Sequence, residues 1–531
     1  MKKLFALIFI GLILTVASSC NNNTIDNSNT SFVSSSTETV QLSDYDKAKK
    51  DNPNNLIYYE IFVRSFADSD NDGIGDFNGI RENISYFTDL GIEAVWLMPI
   101  NESPSYHGYD VIDYYETKKD YGTMDEFKEM VNTFNENGIR VMMDLVINHT
   151  SDQNEWYLNK DLVNTYYAHD KNGNVIRNFG GGMVDLNLMN DTVKEEICKI
   201  AKFYANLGVS GFRLDAVKYF YTVAEYQEVQ PSTISYYADL LIMQIKNAVT
   251  PICPDVYIVS EVWDNVDFVA PFYEFGTDSC FNFDLQADLI SAANGSDYSN
   301  YTNKLYNNYK ELRKVNPNFI DSPFATNHDL DRIANQINES SEKEDRLKLI
   351  PSLLLTLPGT PFIYYGDELG MKGQRVEGEN IPGYGVAYDE FRRLPMKLGN
   401  NYETSWISDG GLNSDIDYST LKNNPDSLYN SYKNMINIRK NNVALAFGND
   451  LRRLNDELIG GFVNGYVRTY NKNGIKQNVL VLFNFSSNDK LIKLPYNDII
   501  YSTNSSNNET LKGLSTIIFE ISDSEVERIT R

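Results

Sequence analysis

The chain has 531 residues, 42% hydrophobic and 13% aromatic, with a formal net charge of −26. That composition excludes a disordered protein and can fill large cores. The acidic balance argues against nucleic acid, whose phosphates need a basic face, and is neutral about an uncharged ligand.

Lys2 and Lys3 precede an apolar run from Leu4 to Ala17, then Ser18-Ser19-Cys20. The run is too short to span a bilayer and suits a signal-peptide core. Residues 1–20 are expected to be a signal peptide that ends in a lipobox, with Cys20 as the lipid anchor. This places the protein outside the cytoplasm, attached to a membrane. Plain cleavage near Ser19, giving a secreted protein, is the alternative. Residues 21–51 begin with a stretch rich in Asn, Ser and Thr and are expected to be a flexible tether. Cys198, Cys253 and Cys280 show no zinc spacing and read as small buried residues. No protein partner is inferred.

From residue 52 short apolar strands alternate with amphipathic helices. The strands are expected at Leu56–Arg64, Ala94–Pro99, Arg140–Ile147, Gly211–Asp215, Val256–Val262, Ser279–Phe283, Pro323–Thr326 and Pro361–Tyr365. Helical patterns lie at Met124–Asn137, Thr192–Leu207, Ile234–Ala248 and Asp345–Leu357. Eight such strands read as an α/β fold, a (β/α)8 TIM barrel, over residues 52–149 and 188–445. A doubly wound open sheet is the rival. It would not gather acidic strand ends at one face as a barrel does. The connection at residues 150–187 is too long for a plain loop and reads as an inserted small domain after strand three. Residues 446–531 read as a C-terminal antiparallel β-sandwich, with strands at Leu458–Val463, Tyr466–Tyr470, Gln477–Phe485 and Thr516–Ile521. Asn473-Gly474 is a hairpin turn between two of them.

Asp68-Ser-Asp-Asn-Asp-Gly-Ile-Gly-Asp76 places oxygen ligands at alternate positions. Asp68, Asp70, Asp72, the Ile74 carbonyl and Asp76 suit a hard cation, expected to be a structural Ca²⁺. Gly79 at the twelfth position excludes a complete EF-hand.

Three acids follow apolar runs in distinctive company. Asp215 lies in Gly211-Phe-Arg-Leu-Asp-Ala-Val-Lys218. Glu261 lies in Ile258-Val-Ser-Glu-Val-Trp263. Asp329 lies in Ala325-Thr-Asn-His-Asp-Leu-Asp-Arg332. Arg213 is two residues before Asp215, so both point to one side of a strand. A cation there keeps the carboxylate ionised. Taken singly, each acid reads as a strand-end salt bridge. Together at one barrel rim they can supply a nucleophile, a proton donor and a charge stabiliser for glycosidic cleavage. His107, His149 and His328 fall in loops at the same end, whereas His169 has no such context. Tyr109, after Gly108, offers a ring to stack on a pyranose, and Trp263 is similar.

These stretches, in this order, resemble the α-amylase superfamily of glycoside hydrolases. The likeness runs from about Tyr58 to the C-terminus. Asp144–His149, Gly211–Lys218, Ser260–Trp263 and Thr326–Asp329 resemble the family's four sequence regions. Met183-Val-Asp-Leu-Asn187 and Gly359–Glu368 resemble two more. The resemblance implies that Asp215 is the nucleophile, Glu261 the acid/base and Asp329 the transition-state stabiliser. Tyr109, Asp110, His149, Arg213 and His328 would line the subsite of the attacked sugar. Lys218, Trp263 and Arg332, within or beside these motifs, are assigned to substrate binding with them. The implied activity is retaining hydrolysis of α-1,4 bonds in starch or maltooligosaccharides. Ala216 and Lys218 favour it. Asp68–Asp76 and Asp144–Asp152 also resemble oligo-1,6-glucosidases, so oligo-1,6-glucosidase, neopullulanase-like and α-glucanotransferase activities are the alternatives. A non-catalytic carbohydrate-binding protein is disfavoured, since the whole acidic triad is present.

Overall fold

The computed structural model describes residues 42–221, 231–296, 300–383, 385–455, 463–492 and 496–530. The expected signal peptide, Cys20 and most of the expected tether lie outside them. No helix among the described residues is long and apolar enough to cross a membrane.

Seven parallel strands form the central sheet: β1 (Tyr58–Ile61), β2 (Ala94–Leu97), β3 (Arg140–Leu145), β4 (Gly211–Leu214), β5 (Tyr257–Ser260), β6 (Ser279–Cys280) and β7 (Phe362–Tyr364). Their spatial order is β6-β5-β4-β3-β2-β1-β7, so chain neighbours pair. The remaining gap is filled by residues 322–324. Ser322 bridges Phe281 and Phe324 bridges Phe362, both in parallel. That segment is the eighth stave, and it closes the TIM barrel.

Parity along the strands sorts the side chains. Tyr58, Ala94, Trp96, Met142, Tyr257, Val259, Phe281, Phe324 and Phe362 share one buried cluster inside the ring. The alternate residues Tyr59, Ile61, Val95, Leu97, Val141, Met143, Phe212, Leu214 and Ile258 belong to the larger core under the helices. In register, Glu60 pairs with Trp96 and Asp144 with Arg213, so these residues also take inward positions. The interior is therefore apolar below and charged toward the C-terminal ends of the strands.

The helices fall where periodicity puts them, at Met124–Glu136, Asp191–Asn206, Pro231–Val249 and Lys343–Leu355. Thr123 and Glu126 close a capping box on the first of these. Strand one is shorter than its apolar run implies. Val63–Phe66 turns into a helix, and Gly75 lies so close that a Cβ there would be 2.0 Å from the Val63 carbonyl oxygen.

The expected tether ends early. Asp44–Asp51 is a helix capped by Ser43, with Ala48 buried. Its Tyr45 hydroxyl donates to Glu93 at 2.5 Å, and its ring meets Phe447 at 5.0 Å. Residues three apart on one helical face give this segment an anchor that its polar composition conceals.

The insert opens with a hairpin, His149–Ser151 against Met183–Asp185, and carries two short helices. Trp156 stacks on Tyr114, and Asn154 donates to the Ile112 carbonyl at 2.8 Å.

The C-terminal region is an antiparallel five-stranded sheet: β8 (Asp450–Arg453), β9 (Val463–Lys472), β10 (Ile475–Asn484), β11 (Ile499–Ser502) and β12 (Ser515–Glu520), in the order β8-β9-β10-β12-β11. The expected strand at Leu458–Val463 falls outside the described residues except for Val463, where β9 begins. Asn473 and Gly474 have φ of 54° and 77° and join β9 to β10, as a two-residue turn requires. The second layer of the sandwich is slight. It is the two-stranded ribbon Lys490–Leu491 with Thr510–Leu511, and the helix Asp523–Ile529 lies over the same core. Val467, Leu480, Ile517 and Phe519 face that layer, whereas Tyr466, Val479, Val481 and Ile518 face the barrel's core.

Two buried arginines hold the seam: Arg439 ties the last barrel helix to the barrel's own loop, and Arg468 joins sheet to barrel. Arg439 donates to the carbonyls of Leu355, Leu357 and Gly359 at 2.7, 2.8 and 2.6 Å. Arg468 donates to those of Thr356, Leu445 and Gly448. Replacing Arg468 by Met strands three buried carbonyls, each worth about 1–3 kcal/mol. A clear fall in the melting temperature is expected, and an unchanged melt would refute the joint.

Candidate active site

Arg213 is the centre of the site. It projects from β4 into the barrel and is 1% exposed. Its Nη1 lies 2.9 Å from Asp144, at the end of β3, and 2.7 Å from Asp215, just after β4. Its Nη2 lies 3.6 Å from Glu261, just after β5. Three carboxylates from three adjacent strands thus share one guanidinium. Trp96 and Tyr109 flank it, with ring centroids 5.4 and 5.7 Å away.

Glu261 is held from a second side. Ala216 adopts φ 54°, a left-handed conformation costly for a residue with a Cβ. There its N–H donates to Glu261 Oε2 at 2.7 Å, while Val217 N–H donates to the Glu261 carbonyl at 3.0 Å. Burial raises the Glu261 carboxyl to about 7, against the pull of Arg213 and with the help of Asp215 and Asp329. Asp144 is likewise pushed up to about 7 by burial, against Arg213.

Asp329 stands across the mouth, after residues 322–324. His328 Nε2 lies 3.1 Å from one carboxylate oxygen and Arg393 Nη2 3.1 Å from the other. Burial alone would raise this carboxyl. His328, Arg393 and Arg213 outweigh it and hold Asp329 well below the usual range. Tyr109 Oη is 2.6 Å from His328 Nε2, with the rings stacked at 5.6 Å. His149 Nε2 is 3.1 Å from the Tyr109 carbonyl, and burial lowers its pKa.

A cavity of about 440 Å³ opens over these groups. Asp215, Asp329, His149 and Tyr109 line it, with His107, Tyr106, Phe179, Met183, Tyr388, Asp389, Glu390 and Arg393. It is a polar-floored, aromatic-walled cleft of ligand size.

The alpha-amylase catalytic-domain model matches residues 60–172 and 164–448. The chain belongs to the α-amylase family. It is 37% identical over 425 residues to alpha-amylase 3 of Dictyoglomus thermophilum, covering 74% of this chain and 79% of that one. It is 31% identical over 415 residues to a 4-alpha-glucanotransferase of Thermotoga maritima, covering 73% and 88%. The crystal structure of an alpha-amylase from H. orenii superposes with a TM-score of 0.76 at 32% identity, over 88% of this chain and 99% of that one. The protein is therefore a glycoside hydrolase of this family.

Most residues expected at the site meet there, and some do not. Asp110 lies behind the wall, accepting from Ser103 Oγ at 2.6 Å and from Ser105. Lys218 pairs with Asp264 at 2.8 Å, and Trp263 stacks on Phe283 at 4.6 Å while 46% exposed. Both sit on the rim beside Glu261. Arg332 does not reach the cleft. It is 0% exposed, stacks between Tyr364 and Tyr365, and donates to the carbonyls of Arg392 and Tyr365. The short helix it starts, Ile333–Gln336, turns it away from His328.

Arg393 takes the place expected of Arg332, and sequence reading missed it. It grips Asp389 at 2.6 Å as well as Asp329, and receives support from Tyr106. The signal was weak, an Arg four residues after Asp389 in an irregular stretch.

Outside the cleft, carboxylate oxygens of Asp68, Asp70 and Asp76 lie within 4.8 Å of one another. That all-oxygen donor set fits a hard cation. Asp72 is turned aside, accepting from Ile74 N–H at 2.7 Å.

The two arginines separate by experiment. Arg393→Met breaks buried pairs, at about 3–5 kcal/mol, and is expected to lower both melting temperature and kcat/KM. Arg332→Met is expected to lower the melting temperature and leave kcat/KM of the folded enzyme intact. The opposite pattern would reverse the assignment.

Proposed function

We propose that the protein is an α-amylase that cleaves α-1,4-glucosidic bonds in starch or maltooligosaccharides with retention of configuration. The observation that carries this reading is the shared guanidinium. Arg213 ion-pairs with Asp215 at 2.7 Å yet stands 3.6 Å from Glu261. One carboxylate is thereby fixed in place, while burial raises its neighbour to about 7, where it can hold a proton.

Glu261 protonates the glycosidic oxygen as Asp215 attacks the anomeric carbon and the leaving sugar departs. Asp215 then carries the glycosyl group. Glu261, now ionised, takes a proton from water, which attacks the same carbon and frees Asp215. Asp329, held ionised by His328 and Arg393, binds hydroxyls of the distorted ring. Tyr109 stacks on it, and Arg213 and His149 frame it.

Asp215→Asn and Glu261→Gln are each expected to lower kcat by about 10²–10⁴ or more. The raised carboxyl of Glu261 must be protonated to act, so kcat/KM is expected to fall as pH rises through about 7. Maltoheptaose should give mixed short maltooligosaccharides. Glucose from isomaltose alone would move the assignment to an oligo-1,6-glucosidase. Products longer than maltoheptaose would favour transfer, a reading supported by the 31% identity to a 4-alpha-glucanotransferase.

We also propose that Asp68, Asp70 and Asp76, with the Ile74 carbonyl, hold a structural Ca²⁺. Chelation should lower the melting temperature and added Ca²⁺ should restore it, by about 2.7 kcal/mol at a hundredfold excess over Kd. A melt indifferent to both would remove the metal. The pattern from Lys2 to Cys20 supports export and lipid attachment, which mass spectrometry of the mature N-terminus would test.

A further inference from the structure

Glu60 is a charged side chain inside the barrel, near the end of β1, and it is 1% exposed. Its Oε1 lies 2.6 Å from Nδ1 of His328, which is 0% exposed. It sits on the far side of the imidazole from Asp329. The other ring nitrogen, Nε2, faces Tyr109 Oη at 2.6 Å and Asp329 Oδ2 at 3.1 Å. The Tyr109 hydroxyl gives its own proton to Asp144 at 3.1 Å and receives Arg213 Nη1 at 3.4 Å. Its oxygen is therefore an acceptor toward His328. An imidazole with acceptors at both nitrogens must carry two protons.

We propose that Glu60 is a positioning residue of the active site, which accepts the Nδ1 proton of His328 and so fixes that ring as an imidazolium donating to Asp329 and Tyr109. The inference rests on the role given above to Asp329. The groups facing His328 are Glu60 from β1, Asp144 from β3, Tyr109, Asp329 beside it in the chain, and two cations. Those cations are Arg213 from β4 and Arg393, whose Nε donates to the His328 carbonyl at 3.2 Å. Burial alone would lower the imidazole's pKa, but the carboxylates of Asp329 and Glu60 raise it to about 9. A raised group of this kind contributes its charge below that pH and loses it above.

The chain has only 4 histidines, so ring-labelled His gives few signals, and His328→Asn assigns the one in question. Its Cε1 resonance is followed against pH in wild type, Glu60→Gln and Glu60→Asp. The expected midpoint is about 9 in wild type, close to that in Glu60→Asp, and below about 7 in Glu60→Gln. In parallel, kcat/KM of Glu60→Gln relative to wild type should drop about tenfold from about pH 6 to about pH 8. The Glu261 titration is common to both proteins and cancels in that ratio. A wild-type midpoint below about 7, an unmoved midpoint in Glu60→Gln, or a ratio independent of pH overturns the proposal. If Glu60→Gln does not fold, the wild-type titration still decides. Activity retained by Asp215→Asn would instead defeat the retaining mechanism and leave the His328 result standing.

Discussion

A guanidinium buried in the mouth of the barrel organises the rest of this molecule. Arg213 cannot be left unpaired at that depth, because an isolated buried charge costs several kcal/mol. Its partners must therefore come from the strands on either side, and they do: Asp144 from β3, Asp215 from its own strand, Glu261 after β5. The acids need the cation for the same reason. Mutual repulsion among carboxylates this close would otherwise neutralise all but one of them. The geometry leaves Asp144 and Asp215 tightly paired and Glu261 loosely paired, and Glu261, raised by burial, is the one free for acid work.

Barrel parity makes this arrangement possible. Inward positions carry the apolar filling, as Trp96 and Val259 do, a small polar group such as Ser279, or the charged upper layer. Closure through residues 322–324 brings His328 and Asp329 round to face Asp215. The small insert and the loop after β7 then raise walls around the mouth, with Phe179 on one side and Tyr388 on the other.

Much of this was legible in the sequence, because alternation and acidic strand ends are local signals. Asp215, Glu261 and Asp329 each follow an apolar run, and their convergence needed only the inference of a closed barrel. Glu60 was not legible. In Tyr58-Tyr-Glu-Ile61 it looks like the solvent-facing member of a half-buried strand, and only the register with Trp96 turns it inward. Arg332 was misplaced because nearness in sequence to Asp329 says nothing of direction once a helical turn intervenes. Arg393 lies 64 residues from Asp329 in sequence, in a stretch without periodicity, so nothing local announces the pair. The helix Asp44–Asp51 was hidden by its polar composition, since Tyr45, Ala48 and Lys49 suffice to dock it.

The arginine joints beneath the barrel bear on how the protein comes apart. Arg468 reaches from the sheet to the carbonyls of Thr356 and Leu445 on the barrel side, so the barrel has no self-sufficient boundary there. Melting of the sheet must strip these donors from the barrel, which couples the two in one cooperative transition. A fragment ending near Ala446 would leave the peptide oxygens of Thr356 and Leu445 without their Arg468 donors, and with them a tendency to aggregate rather than fold.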